Sequence, residues 1–224
     1  MPVIAIASEI GSEGDLIATQ VARRLGLTLM DHSNVLERLA RHGFAIPPVG
    51  IGNEPHKVTH EKDWPLHKIG KIISTEILFL AQKNSMLLLS PYAPHLLAGI
   101  SHIPRIRVCA PLIRRVKNFA TTYDCNEAEA RREIDLSETR ANHILEACFG
   151  VEFPSHDHHF DLVADTGWLG AQDWAEEIVS LVQDEDFLPT AASCSRLRAL
   201  ALNASVAQAM TNGSRDCGQS WLPS

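Results

Sequence analysis

The 224-residue chain carries 20 Lys+Arg against 27 Asp+Glu, a formal net charge of −7, with 45% hydrophobic and 21% charged residues. That length suits one sizeable core, and the composition excludes a disordered or fibrous chain. No run of about 18 uncharged apolar residues occurs, which excludes a membrane-spanning helix. No basic segment precedes the apolar start, so no signal peptide is expected.

The acids are unevenly placed. From Ala141 to Ser195 there are eleven and no Lys or Arg, which leaves 16 acids against all 20 bases elsewhere. Overall acidity argues against a nucleic-acid binder. It leaves room for a phosphate-bearing small molecule, which needs only a few local cations. Five scattered cysteines without a CxxC pair fit reduced thiols in a cytoplasmic protein. Cys109 lies in an apolar run and is expected in the core.

In chain order, VIAIA (3–7) reads as a strand covered on both faces, because it is β-branched and does not alternate. A helix with Leu16, Ile17, Val21 and Leu25 on one face follows, with Gly26 as its C-cap. LTLM (27–30) is a second strand, and Ser33 is expected to cap a helix from Asn34 to about His42. Residues 43–65 are rich in Gly, Pro and His and predict a long loop. Helical spacing returns from Leu66 to Asn84. MLLLS (86–90) and RIRVCA (105–110) predict the third and fourth strands. Helices follow from Leu112 and over about 126–148, then a fifth strand FDLVAD (160–165) and a helix over 171–184. Strands alternating with helices predict a parallel sheet covered on both faces. A small-residue helix over 197–210 and an irregular tail complete the chain.

The turn Ser8-Glu9-Ile10-Gly11-Ser12-Glu13-Gly14-Asp15, between the first strand and its helix, has the position of a phosphate-binding loop. There, backbone N–H groups and a helix N-terminus point at an anion. A full phosphate loop reads GxxxxGK[ST], and this stretch places Gly14 at the lysine position and Asp15 at the Ser/Thr position. A tight strand-to-helix turn without a ligand is the other reading of the same residues.

Over residues 1–184 the chain resembles the cytidylate kinase-like family, a nucleoside-monophosphate-kinase branch of the P-loop fold. The resemblance is carried by Glu9–Gly14 with Ile17-Ala18 and the Ala22…Leu25-Gly26 end of the helix. It continues through Met30-Asp31, Ile106–Pro111, Arg115-Val116, Phe149-Gly150-Val151 and Phe160–Thr166. It implies a three-layer α/β fold with a five-stranded parallel sheet over 1–186 and an extension over 187–224. It also implies transfer of a phosphoryl group from ATP, with Mg2+, to a nucleoside monophosphate such as CMP. By resemblance, Gly11, Ser12, Glu13, Gly14 and Asp15 would surround the donor phosphates, while Asp31, Arg107 and the 43–65 loop would face the acceptor. Arg115, Arg132 and Arg140 are the expected catalytic cations, with Arg114 and Arg131 nearby and some of them on a closing lid. Arg107 also fits a structural role, and Arg114-Arg115 and Arg131-Arg132 also fit exposed helix faces paired with Glu127, Glu129 and Glu133.

The departures from the family pattern all bear on phosphate. The arginines that flank the family loop are Ser8 and Asp15 here, and its middle glycine is Glu13. At about 4 Å and an effective dielectric near 20, each like-charge pair with a phosphate costs about 4 kcal/mol before screening. The GRGA stretch after the third strand is Ser90-Pro91-Tyr92-Ala93. Glu138 and Arg140 match the family's DxxR only with altered spacing. Weakened kinase activity is therefore one expectation, and an inactive nucleotide-binding or protein-interaction domain is the alternative. His156-Asp157-His158-His159 reads as a solvated loop ahead of a metal site, and Trp168 and Trp174 are expected to pack.

Overall fold

The protein is described by a computed structural model covering residues 2–41, 66–150 and 159–213. The five apolar runs form strands β1 (Val3–Ser8), β2 (Thr28–Asp31), β3 (Met86–Leu89), β4 (Arg105–Cys109) and β5 (Leu162–Asp165). All pairings are parallel and the sheet order is β2-β3-β1-β4-β5. β1 is central because its side chains are apolar on both faces. Ile4 and Ile6 enter one core with Leu87, Leu89, Ile106 and Val108. Val3, Ala5 and Ala7 enter the other with Met86 and Leu88.

The first face is covered by α1 (Gly14–Leu25) and α7 (Ala171–Val182), through Ile17, Val21, Trp174 and Ile178. The second is covered by α3 (Leu66–Lys83), the short α4 (Ala93–Leu96) and α8 (Ala191–Gly213), through Ile73, Ile77, Leu97 and Leu197. Between β2 and α3 stands α2 (His32–Arg41), and between β4 and β5 stand α5 (Leu112–Tyr123) and α6 (Glu127–Phe149). α5 and α6 form a hairpin with a small core of its own: Val116, Phe119, Ala130 and Ile134. The result is the three-layer α/β architecture.

Several boundaries have local causes. Gly26 caps α1 at φ 64°, with its N–H donating to Ala22 and Arg23 carbonyls. α6 runs unbroken because Asn126 and Glu129 cap each other reciprocally at its start and Gly150 at φ 66° ends it. α2 begins earlier than Ser33 predicts: the Asp31 carboxylate accepts the Asn34 N–H at 2.8 Å and Asn34 Oδ1 accepts the Asp31 N–H at 3.1 Å. Asp161 fixes the start of β5 by gripping Arg105 through its main-chain N–H at 2.8 Å and its guanidinium at 3.0 and 3.2 Å.

α8 lies against α3, where Leu197 and Ala201 are buried, and Thr75 Oγ1 donates to the Ala204 carbonyl at 3.2 Å. Its start is tied down by Thr190 and Ser193, which bond reciprocally, and by Ser193 Oγ at 2.7 Å from the buried His102 ring. Cys109, expected in the core, is half-buried at the end of its strand, and Cys109, Cys125 and Cys194 form no disulfide. No helix among the described residues is long and apolar enough to cross a membrane. The expected 43–65 loop, residues 156–158 of the histidine run and the tail beyond 213 lie outside the described residues.

Candidate functional site

In an open parallel sheet, ligands bind outside the carboxyl ends of the strands. β1 delivers the Ser8–Gly14 turn to that edge. The turn is drawn in tightly. A Cβ on Gly11, whose φ is 80°, would lie 2.4 Å from the Arg115 carbonyl oxygen, and one on Gly14 would lie 2.0 Å from Ser8 Oγ. Only glycine fits either place. Asn118 Nδ2 donates to the Gly11 carbonyl at 2.9 Å and Thr166 Oγ1 to the Ser12 carbonyl at 3.1 Å, so α5 and the end of β5 both brace the loop. Ser12 turns inward: its hydroxyl donates to the Glu9 carbonyl at 2.6 Å and its N–H donates there too, at 3.1 Å.

Among the described residues, no side chain caps the start of α1. The amides of Gly14, Asp15 and Leu16 therefore keep their donors for a ligand or water, at the positive end of the helix dipole. Glu13 precedes them in the left-handed conformation, φ 65°, where the family pattern has glycine. That conformation costs a non-glycine residue about 1 kcal/mol or more. Its carboxylate reaches Arg114 Nη2 at 3.1 Å.

The arginines divide into two kinds. Arg115 is buried: Nη1 lies 2.5 Å from Glu138, Nε lies 3.3 Å from Glu9, and Nε also donates to the Ala110 carbonyl. Glu9, itself only 9% exposed, holds Arg107 at 2.7 Å with its other oxygen. Ala7, opposite Arg107 on β1, leaves space for that guanidinium beside the strand. Arg114 faces the loop as described. Arg131 and Arg132 are exposed on α6 and form no ion pair among the described residues, so the pairing with Glu127, Glu129 and Glu133 is absent from the described contacts. The side chain of Arg140 lies outside the described residues.

Beside the loop, Asp15 and Asp31 face each other across α1 and β2. Desolvation first, and the Asp31 charge second, push the Asp15 carboxyl above the ordinary range. Tyr123, at the end of α5, has its hydroxyl pushed up by burial and then by Asp15, which places it over the same corner. His32 follows Asp31. Burial lowers its pKa to about 4 against the opposing pull of Asp31, so the imidazole is neutral at pH 7.

On the other side of the loop lies an open cleft of about 450 Å³, lined by Pro111, Ile113, Arg114, Lys117, Asn118 and Gly167. Pro111 packs where a Gly167 side chain would be. Trp174 packs as expected, donating to the Asp165 carbonyl at 2.9 Å, but Trp168 is 87% exposed and Ile113 is 75% exposed. The Asp165–Leu169 turn, bonded back to the Asp165 carbonyl, carries the Trp168 ring outward beside Gly167. Lys117, Asn118, Tyr123 and His32 escape the motif reading. For the first two, spacing held the signal, since Arg114, Lys117 and Asn118 share a helix face.

The loop, the chain order of strands and the sheet order agree with sequence comparison. Residues 3–167 match the family described as the cytidylate kinase-like family. The chain belongs to that family. Among solved structures, an uncharacterized protein from Eubacterium ventriosum aligns with a TM-score of 0.65 at 13% identity, covering 83% of this chain and all 100% of that one. TT1252 from Thermus thermophilus aligns at 0.50 with 15% identity, covering 82% and 98%. Shikimate kinase from Acinetobacter baumannii in complex with shikimate aligns at 0.49 with 12% identity, covering 81% and 93%. No curated protein matches the sequence. The cytidylate kinase-like chain thus has a kinase-like P-loop fold.

Proposed function

We propose that this chain binds a nucleotide through its phosphates at the Gly11–Leu16 segment and transfers a phosphoryl group from ATP to a nucleoside monophosphate, slowly. The observation that carries this reading is the uncapped start of α1 behind a loop in which Gly11 and Gly14 admit no side chain. Such a turn brings backbone donors close to an anion. The base and sugar of the donor would lie toward the cleft of Arg114, Lys117 and Asn118.

Asp15 and Asp31 fit a hard divalent cation. Desolvation first and the Asp31 charge second raise the proton affinity of Asp15, and Mg2+ would offset the second of these while taking oxygen ligands from phosphate. When bound, the ion would neutralise phosphate charge. Arg132 and Arg140 on α6 would supply further cations if the α5–α6 hairpin closes, while Arg115 would position the loop from behind.

Slow turnover is expected from Glu13, a carboxylate beside the amides that also engages Arg114. The test is turnover of ATP with MgCl2 against CMP, UMP, AMP and GMP, together with calorimetry of ADP binding. Turnover below about 1 per second with measurable ADP binding is expected, at the floor of the usual kinase range. Absence of binding by any nucleotide would overturn the reading.

The second reading is a nucleotide-binding domain without catalysis. It is favoured by the pairing of Arg107, Arg114 and Arg115 with the chain's own carboxylates. Binding with no turnover distinguishes it.

A further inference from the structure

Among the described residues, two buried polar groups at the carboxyl edge of the sheet have no hydrogen-bond partner. Both ring nitrogens of His32 are buried without a hydrogen bond, and so is the side-chain oxygen of Asn142. Native proteins seldom leave such atoms unsatisfied, because each costs about 1–3 kcal/mol. The two belong to different elements but to one region. The His32 ring meets Tyr92 edge-on at 5.3 Å, and Tyr92 meets Phe149 at 5.6 Å. Phe149 lies seven residues beyond Asn142 on α6, on the same face and roughly 10 Å along the axis. The same face carries Glu138, which reaches Arg115 behind the loop, and the buried Leu145. Asn142 therefore stands between the phosphate loop and the Tyr92–Phe149 pair, and His32 closes the other side of that pair beside Asp31.

Resting on the nucleotide reading above, we infer that His32 and Asn142 recognise the uncharged part of the acceptor, by hydrogen bonds to a nucleobase edge or to sugar hydroxyls. The chemistry of the two groups selects that class. A neutral imidazole offers one donor and one acceptor, and the Asn142 oxygen offers an acceptor. Neither brings positive charge, so neither suits a phosphate. Burial holds the imidazole in its uncharged form at pH 7. A neutral array of donors and acceptors satisfies these buried atoms. Discrimination is then strong, because a ligand without the matching groups leaves the same buried atoms unpaired.

The experiment uses the full chain with His32→Phe and Asn142→Leu, each keeping bulk while removing the polar atoms. Urea unfolding at pH 7 checks that the variants fold, and both are expected to be at least as stable as wild type. Calorimetry then compares CMP, cytidine, ribose 5-phosphate and pyrophosphate. Each substitution is expected to weaken CMP by about tenfold, as loss of one buried hydrogen bond does, and to leave pyrophosphate unchanged. Loss confined to CMP and cytidine assigns the pair to the base, whereas an equal loss for ribose 5-phosphate assigns it to the sugar. If wild type binds pyrophosphate but the folded variants bind CMP like wild type, or if no acceptor binds, the inference is overturned and the phosphate reading survives. If no phosphate compound binds wild type, both are overturned.

Discussion

Glu13 Oε2 accepts from Arg114 Nη2 at 3.1 Å, so the residue that replaces a glycine in the loop also engages the cation nearest to it. The pair is half exposed, with side-chain exposures of 30% and 41%, and contributes little to stability, about 0.2–1 kcal/mol. On the proposed function its effect is on the ligand: a phosphate entering the loop would meet a carboxylate at Glu13 and an arginine already partnered.

Glu13→Gly should therefore leave folding within about 1 kcal/mol of wild type. Relief of the left-handed backbone offsets the lost ion pair and the greater freedom of glycine in the unfolded chain. Pyrophosphate or ADP affinity should rise about tenfold, roughly 1.4 kcal/mol, by calorimetry at low salt. Unchanged affinity would show that Glu13 does not border the anion.

Arg115→Met should destabilise the protein by about 2 kcal/mol, because buried Glu9 is left with Arg107 alone and the partly exposed Glu138 loses its partner. Urea unfolding measures this. A fully stable variant with reduced turnover would instead place Arg115 on the substrate.

Gly11→Ala should cost about 2 kcal/mol or more and abolish anion binding. The added methyl meets the Arg115 carbonyl and the backbone sits at φ 80°. Stability and pyrophosphate titration of this one variant check both effects.

His32 makes stability pH-dependent with a defined sign. Its folded pKa, about 4, lies below the ordinary imidazole value of 6.5. The neutral folded form is favoured, so the contribution is complete above pH 6.5 and is lost as pH falls from 6.5 to 4. The gap corresponds to roughly 3 kcal/mol. Asp15 acts oppositely, since a raised carboxyl pKa favours the folded state as it gains its proton. The difference in urea midpoint between wild type and His32→Phe, followed from pH 7 to pH 4, isolates the histidine. A difference independent of pH would refute the assignment.

Ser193→Ala should cost about 1–2 kcal/mol, since it removes the partner of buried His102 and half of the reciprocal cap at the start of α8. Thermal unfolding with wild type as reference reads it.

The strands were legible because each is a short, unbroken apolar run, and α1, α3 and α7 because their apolar residues recur at helical spacing. Asp31 as the cap of α2 was not, since Asp31 and Ser33 are equally good cap residues in isolation and only the strand end decides between them. In the site, Gly11 and Gly14 followed from motif position. The engagement of Arg107 and Arg115 by Glu9 did not, because it joins residues about 100 positions apart and no local pattern records it. His32 and Asn142 were equally silent, since an unsatisfied atom is defined only by what surrounds it. Trp168 misled the reading, as its type suggests burial while its turn directs it outward.

The central place of β1 governs how the chain reaches this structure. Its neighbours, β3 and β4, begin their register at Met86 and Arg105, so β1 waits for both distant segments before its edges are covered. Closing such long loops is slow, and an uncharged VIAIA segment is prone to pair with other copies meanwhile. Low yield on rapid expression, improved by slower synthesis at reduced temperature, is the expected outcome, read as soluble protein per cell mass at two temperatures. The segment that sets the phosphate loop in place is thus also the one most at risk before the fold closes around it.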